Sequence, residues 1–233
     1  MITLYTFGPA YGLPDASPFV VKTELLLKLS GLEYQLKRGN MRRAPKGKLP
    51  YIEDGGRIVA DSTLIRDYLE QQYKIDFFPG CSAQQKALGW TIEKMLEEHL
   101  YWGVVESRWL QEDNFKRGPK ALLAKAIPGL LQPFLFPLIL GKVRKQLEAQ
   151  GLGRHSRADL ESLTGRDIDA LAALLGDQHW ILGDKPSATD ATVVAFINSL
   201  LCPAFDTPLR TRGEQHANLR AYVARGMAHF YGK

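Results

Sequence analysis

The 233 residues are 45% hydrophobic and 24% charged, a globular composition with enough chain for one large domain or two small ones. Thirty Lys and Arg against 25 Asp and Glu give a net charge of +5, which tolerates an anionic ligand without requiring one, and no basic stripe interleaved with aromatics points to nucleic acid. Cys81 and Cys202 stand far apart in no paired spacing, which suggests neither a disulfide framework nor a zinc site and suits a reducing cytoplasm.

Residues 2–7 read as a β-prone run ending at Gly8-Pro9, and a loop rich in Gly, Pro and Asp continues to residue 16. Met1 to Tyr5 lacks the basic region and apolar core of a signal peptide. Ser17 is placed as a helix N-cap, with Pro18 at the first helical position, where a missing N–H is harmless. Leu25, Leu26 and Leu29 give that helix an apolar stripe, and Gly31 is placed to end it. Glu33 to Lys37 is a short strand, followed by a basic loop with Arg38, Arg42, Arg43, Lys46 and Lys48. Leu49 to Glu53 and Arg57 to Ala60, split by Asp54-Gly55-Gly56, carry a hairpin signature. Ser62 is expected to cap a helix whose apolar face is Leu64, Ile65, Tyr68 and Leu69. The order β, α, β, hairpin, α makes residues 1–77 an α/β domain, closed by Phe77-Phe78-Pro79-Gly80.

Residues 83–233 read as all-helical, with breaks at Gly118-Pro119, at the proline-bearing apolar stretch Ala126 to Gly141, and at Gly151 to Ser156. That uncharged stretch is shorter than the roughly 20 residues a spanning helix needs, and Pro128, Pro133 and Pro137 interrupt it. It reads as buried or pocket-lining, with no membrane partner. Leu171, Leu174 and Leu175 form a buried helical face that stops at Gly176, and Ser187 to Asp190 is a capping box opening an apolar helix to Leu201.

The string Pro45-Lys46-Gly47-Lys48-Leu49-Pro50-Tyr51-Ile52-Glu53-Asp54-Gly55, followed by Ala60-Asp61-Ser62, resembles the glutathione-site signature of cytosolic glutathione transferases. The box at Ser187 to Asp190 resembles the capping motif of their helical domain. Ser17-Pro18-Phe19 with Lys22 and Glu24, Gly151 to Arg157, Pro208-Leu209-Arg210 and Asn218-Leu219 resemble the metaxin and failed-axon-connections branch of that superfamily. The resemblance spans nearly the whole chain. It implies a thioredoxin-like α/β domain followed by an all-α domain, a cis peptide before Pro50, glutathione as co-substrate, a small hydrophobic electrophile as partner, and a homodimer.

Under that resemblance the backbone of Leu49 beside Pro50 pairs with the cysteinyl part of glutathione. Ser62 offers hydroxyl and N–H to the γ-glutamyl carboxylate at the positive end of a helix, and Asp61 accepts from the γ-glutamyl ammonium. Asp61 is shorter than the Glu or Gln that many transferases carry there, and both residues also suit a plain capping role. Lys48 is the candidate for the glycine carboxylate, with Arg42 and Arg43 as helpers. Ser17 is the first candidate donor to the glutathione sulfur, unless its hydroxyl is spent on its own helix; Tyr11 is the substitute donor. Phe7 stands roughly where tyrosine-type transferases hold their catalytic phenol, Tyr5 reads as packing, and no Cys at residues 17 or 20 provides a nucleophile for disulfide exchange. Trp90, Trp102, Trp109 and the Phe134 to Leu140 segment are candidate pocket linings, and Arg154, His155 and Ser156 read as a helix junction. The five histidines show no metal spacing, and neither a dinucleotide loop nor a GxSxG elbow is present. A scaffold that keeps the fold without turnover is the alternative to an enzyme.

Overall fold

The computed structural model describes residues 1–232; Lys233, the last residue of the expected helical region, lies outside them. β1 (Ile2–Thr6) is central, flanked by parallel β2 (Tyr34–Arg38) and antiparallel β3 (Tyr51–Asp54), and β4 (Arg57–Ala60) closes the hairpin at the outer edge. The sheet order is therefore β2-β1-β3-β4. Alternation sends Ile2, Leu4 and Ile52 inward, where α1 (Pro18–Ser30) and α2 (Ser62–Tyr73) cover them. Gly31 ends α1 with φ of 68°, the left-handed cap its position predicted.

The rest is helical: α3 (Ala83–Lys94), a π-type segment Met95–Leu100, α4 (Tyr101–Trp109), α5 (Glu112–Phe115), a second π-type segment Lys116–Lys120, α6 (Ala121–Ala124), α7 (Gln132–Gln150), α8 (Arg157–Leu175), α9 (Ala188–Leu200), α10 (Pro208–Gln215) and α11 (Ala217–Tyr231). One apolar core runs from the sheet through Leu25, Leu26 and Leu27 of α1 to Ile92 of α3 and Val193, Val194 and Ile197 of α9. Helix α1 is thus the wall shared by both halves. Its Lys22 is fully buried and donates to Glu93 at 3.1 Å and Glu97 at 2.5 Å, while Arg66 of α2 donates to both oxygens of Glu93 at 2.8 and 2.9 Å.

The capping box is present in full: Asp190 accepts from the N–H and hydroxyl of Ser187, both at 2.7 Å, and its other oxygen takes Ile181 N–H and Tyr222 O–H. Burial raises the pKa of Asp190. The Gly151 to Ser156 junction behaves as read: Arg154 donates to the Glu148 carbonyl, and Ser156 caps α8 by accepting from Asp159 N–H.

Three expectations need correction. The chain does not break at Gly118-Pro119; a widened π-type turn absorbs the proline, whose absent N–H and bulky ring a regular turn would not accommodate. Leu64 is exposed, while Ile65, Tyr68 and Leu69 form the inner face of α2, because the sheet meets only that side. The Ala126 to Gly141 stretch is not buried as a whole: Phe136 packs on Phe115, yet Leu130, Leu131, Phe134 and Leu138 face solvent, since nothing covers the outer side of α7. No described helix is long and apolar enough to cross a membrane.

Candidate functional site

Three backbone features meet at the carboxyl end of β1. Val20, one turn into α1, Leu49, beside a cis peptide to Pro50, and Ala60, the residue before Asp61, belong to one apolar cluster, with Tyr51 and Phe7 against it. Asp61 N–H donates to the Pro50 carbonyl at 3.4 Å, which ties the cis turn to the start of α2. The starts of α1 and α2 and the turned entry to β3 are therefore neighbours through this cluster. Ser17, Leu49, Pro50, Asp61 and Ser62, the residues named from sequence, stand at these three features.

Ser17 is the N-cap of α1 by position and extended backbone, but its hydroxyl makes no capping bond. Proline at the first helical position has no N–H to offer, and the next donors, Val20 and Val21 N–H, both reach the Ser17 carbonyl at 3.1 Å. The half-buried hydroxyl is consequently free for a ligand. The alternative in which it is consumed by its own helix does not hold.

The cap of α2 is Asp61 and not Ser62. One Asp61 oxygen accepts from Thr63 N–H at 2.9 Å and Leu64 N–H at 3.4 Å; the other has no partner among the described residues. Asp61 adopts φ of 94°, a conformation costly for a side-chain-bearing residue, and so holds its carboxylate at the rim of the site. Ser62 is the first helical residue, buried, and its hydroxyl has no partner among the described residues. Sequence misassigned the cap because Asp and Ser are equally good caps at adjacent positions; the strained backbone that decides between them is a tertiary effect. Lys48, Arg42 and Arg43 are exposed on the loop before the cis turn. Tyr5 stacks on Tyr51 at 4.2 Å and donates to Glu53 at 2.8 Å, the packing role expected of it.

Sequence missed Asp15. Its carboxylate is buried and accepts from Gly8 N–H at 2.6 Å and Ser17 N–H at 2.9 Å, so it pins the β1–α1 loop and orients Ser17. An Asp two residues before a helix start is an Asx-turn signal, but its bond back to Gly8 is not visible in the chain. Gly8 itself has φ of 83°, a left-handed conformation that favours glycine. Burial pushes Asp15 up to about 6, against the bonds from Ser17, Gly8 and Phe7 N–H and the charge of Arg38. A carboxyl raised above its unfolded value of about 3.8 contributes stability below about pH 4 that is lost as pH rises through about 6, roughly 3 kcal/mol in all. Between pH 4 and pH 7, Asp15→Asn is therefore expected to gain about 3 kcal/mol relative to the native chain in urea unfolding. Parallel pH profiles for the two proteins would show that the carboxylate is not held in a desolvated site.

On the other side of the same loop lies an open cleft of about 1020 Å³, lined by Tyr11, Asp15, Val20, Glu24, Arg38 and Tyr231 among others. It shares Asp15 and Val20 with the wall behind Ser17 and takes residues from both halves of the chain. Its acids are engaged internally: Glu24 accepts from Tyr34 O–H at 3.2 Å and Tyr231 O–H at 2.8 Å. Tyr11 packs edge-on against Phe205 at 5.0 Å, and burial raises its phenol despite the nearby Arg108. The structure thus separates the two donor candidates, with Ser17 at the helix start and Tyr11 in the cleft. Trp90 is a surface residue with Lys94 over its ring at 4.6 Å, and Phe134 faces outward, so neither lines this space. No cluster of His, Cys, Asp and Glu among the described residues has the form of a metal site.

Comparison with known proteins places the chain in a family. Residues 18–114 match the glutathione S-transferase N-terminal domain and residues 164–226 the glutathione S-transferase C-terminal domain. The chain is 33% identical over 211 residues to isoprene-epoxide–glutathione S-transferase of Rhodococcus sp. (strain AD45), covering 86% of this chain and 87% of that protein. It is 32% identical to failed axon connections of Drosophila melanogaster, covering 97% of this chain but 57% of that longer protein, and 26% identical to metaxin-1 of Macaca fascicularis, covering 85% and 65%. Among solved structures, beta-etherase LigF from Sphingobium sp. strain SYK-6 superposes with a TM-score of 0.71 at 20% identity, covering 97% of this chain and 95% of that one, which establishes the fold.

Proposed function

Since the chain belongs to the glutathione S-transferase superfamily, alongside failed axon connections and the metaxins, we propose that it is a transferase joining glutathione to a small hydrophobic electrophile. The observation that supports this reading is the Ser17 hydroxyl, which makes no capping bond at the start of α1, the helix whose Val20 shares one cluster with Leu49 of the cis-proline turn and Ala60 before the second helix start. A thiol with pKa near 8.5 is only about 3% ionised at pH 7, and lowering it by about two units raises the thiolate to roughly three quarters. The start of α1 supplies part of that shift, and the Ser17 O–H donates to the sulfur to supply the rest. The Leu49 backbone pairs with the cysteinyl unit, Ser62 holds the γ-glutamyl carboxylate, the free Asp61 oxygen its ammonium, and Lys48 the glycine carboxylate.

The electrophile enters from the adjoining cleft, where Tyr11 meets its polar end. A small epoxide, the class in the Rhodococcus relative's name, is the first candidate. The thiolate attacks a ring carbon, a sulfur–carbon bond forms as the carbon–oxygen bond breaks, and the alkoxide takes a proton from a donor such as Tyr11 or water. The enzyme works in the cytoplasm with its two cysteines reduced, as a dimer.

Purified protein is expected to be retained on immobilised glutathione and to elute from a sizing column at twice 26.1 kDa. Asp61→Ala with Ser62→Ala abolishes the retention while leaving the mass unchanged. Failure of the native chain to bind even at millimolar glutathione would end the proposal, and a monomeric mass would remove the dimer alone. The scaffold reading keeps one point in its favour, Phe7 in place of a catalytic tyrosine, and is the outcome if glutathione binds while aryl halides, epoxides and peroxides all go unconsumed.

A further inference from the structure

Between Asp113 and Glu148 the sequence holds seven Lys and Arg and no carboxylate. Thirty cationic residues less these seven leave 23 against 25 acids, so the whole positive excess of the protein sits in this one segment. The segment runs from the end of α5 through the second π-type segment and the short α6, and a turn at residues 125–131 leads into α7. Phe115, Phe136 and Leu147 are buried, but Leu130 is 90% exposed, Phe134 72% and Leu138 69%. Leu131, just before α7, and Phe134 and Leu138 within it recur at three- and four-residue spacing, and Lys142 and Lys145 continue the same stripe. At 1.5 Å per residue, Lys142 lies about 12 Å along the axis from Phe134.

We infer that this segment docks on an anionic lipid bilayer. An apolar end followed one and two turns later by flexible cations is the arrangement that enters the headgroup region to shallow depth while the ammonium groups reach the lipid phosphates and carboxylates. The contact is with the bilayer surface, and no described helix is long and apolar enough to cross it. A second copy of the chain is a poor occupant, because a two-fold contact through this face would set cations against cations. The expectation of no membrane partner rested on the length and prolines of the Ala126 to Gly141 stretch and on its burial; the first two speak only against a spanning helix, and its exposure removes the third. Lys125 belongs both to this segment and to the rim of the cleft, so a docked bilayer borders the cleft mouth.

The test is co-sedimentation of the full chain with vesicles of mixed phosphatidylcholine and phosphatidylserine, and of phosphatidylcholine alone. Binding to the mixed vesicles is expected to be at least about tenfold tighter and to weaken with salt. Phe134→Ser with Leu138→Ser, which keeps the charge, and Lys142→Gln with Arg144→Gln and Lys145→Gln, which keeps the apolar end, are each expected to cut binding at least about tenfold with unchanged far-ultraviolet circular dichroism. Equal sedimentation with both vesicles, or variants that bind like the native chain, overturns the inference. So does an oligomer that dissociates in the Phe134 and Leu138 variant without any lipid binding, which would give the face to another protein chain. Retention on glutathione is independent of every one of these outcomes.

Discussion

Replacing Lys22 by methionine is expected to cost the folded protein about 3 to 5 kcal/mol and to lower its melting temperature by roughly 10 °C. The ammonium is fully buried in α1 and bonds Glu93 and Glu97, both buried themselves, across the boundary between the two halves of the chain. Methionine fills the same space but leaves those carboxylates short of a partner. Arg66 still holds Glu93, and Lys94 reaches the other oxygen of Glu97 at 2.5 Å, so the deficit falls mainly on the Glu97 oxygen that faced Lys22. Adding Glu97→Gln to Lys22→Met is accordingly expected to restore at least about 1 kcal/mol, since a neutral amide tolerates desolvation better than a lone charge. Guanidinium unfolding of the native chain, the single and the double variant measures both quantities. A single variant within about 1 kcal/mol of native would mean that water reaches these carboxylates and that the network does not couple the halves.

That network also marks where sequence reading stops. Lys22 is 71 residues from Glu93 and 75 from Glu97, and nothing local distinguishes a buried lysine from a solvated one. By contrast, the helix beginning at Pro18 and ending at Gly31, the hairpin around Asp54-Gly55-Gly56 and the box at Ser187 to Asp190 were legible because each is fixed by neighbours in sequence. The cis bond before Pro50 came through the resemblance and not through local chemistry. Asp15 was missed for the same reason as the ion network: its value lies in reaching back to Gly8. The exposed face of α7 failed in the opposite direction. Apolar composition says that a side chain prefers burial, yet only the arrangement of neighbouring helices decides whether anything is there to bury it.

Ser17→Ala should leave glutathione bound and the sulfur poorly ionised. The hydroxyl takes no part in capping α1, so its loss does not unravel the helix start; the Asp15 bond to the Ser17 N–H and the Val20 and Val21 bonds to its carbonyl all survive. What disappears is a donor to a charged acceptor, worth about 1.5 to 3 kcal/mol, or roughly one to two pKa units on the bound thiol. At pH 7 that converts a mostly ionised sulfur into a mostly protonated one, and kcat/KM for an epoxide is expected to fall about tenfold with retention on immobilised glutathione unchanged. The pH profile separates this from a merely structural effect. As pH rises past the thiol pKa of the variant, both proteins hold thiolate and the deficit closes, whereas a displaced α1 would leave it constant. Ultraviolet absorbance of bound thiolate, titrated in both proteins, gives the pKa directly, and coincident titrations would remove Ser17 from the chemistry.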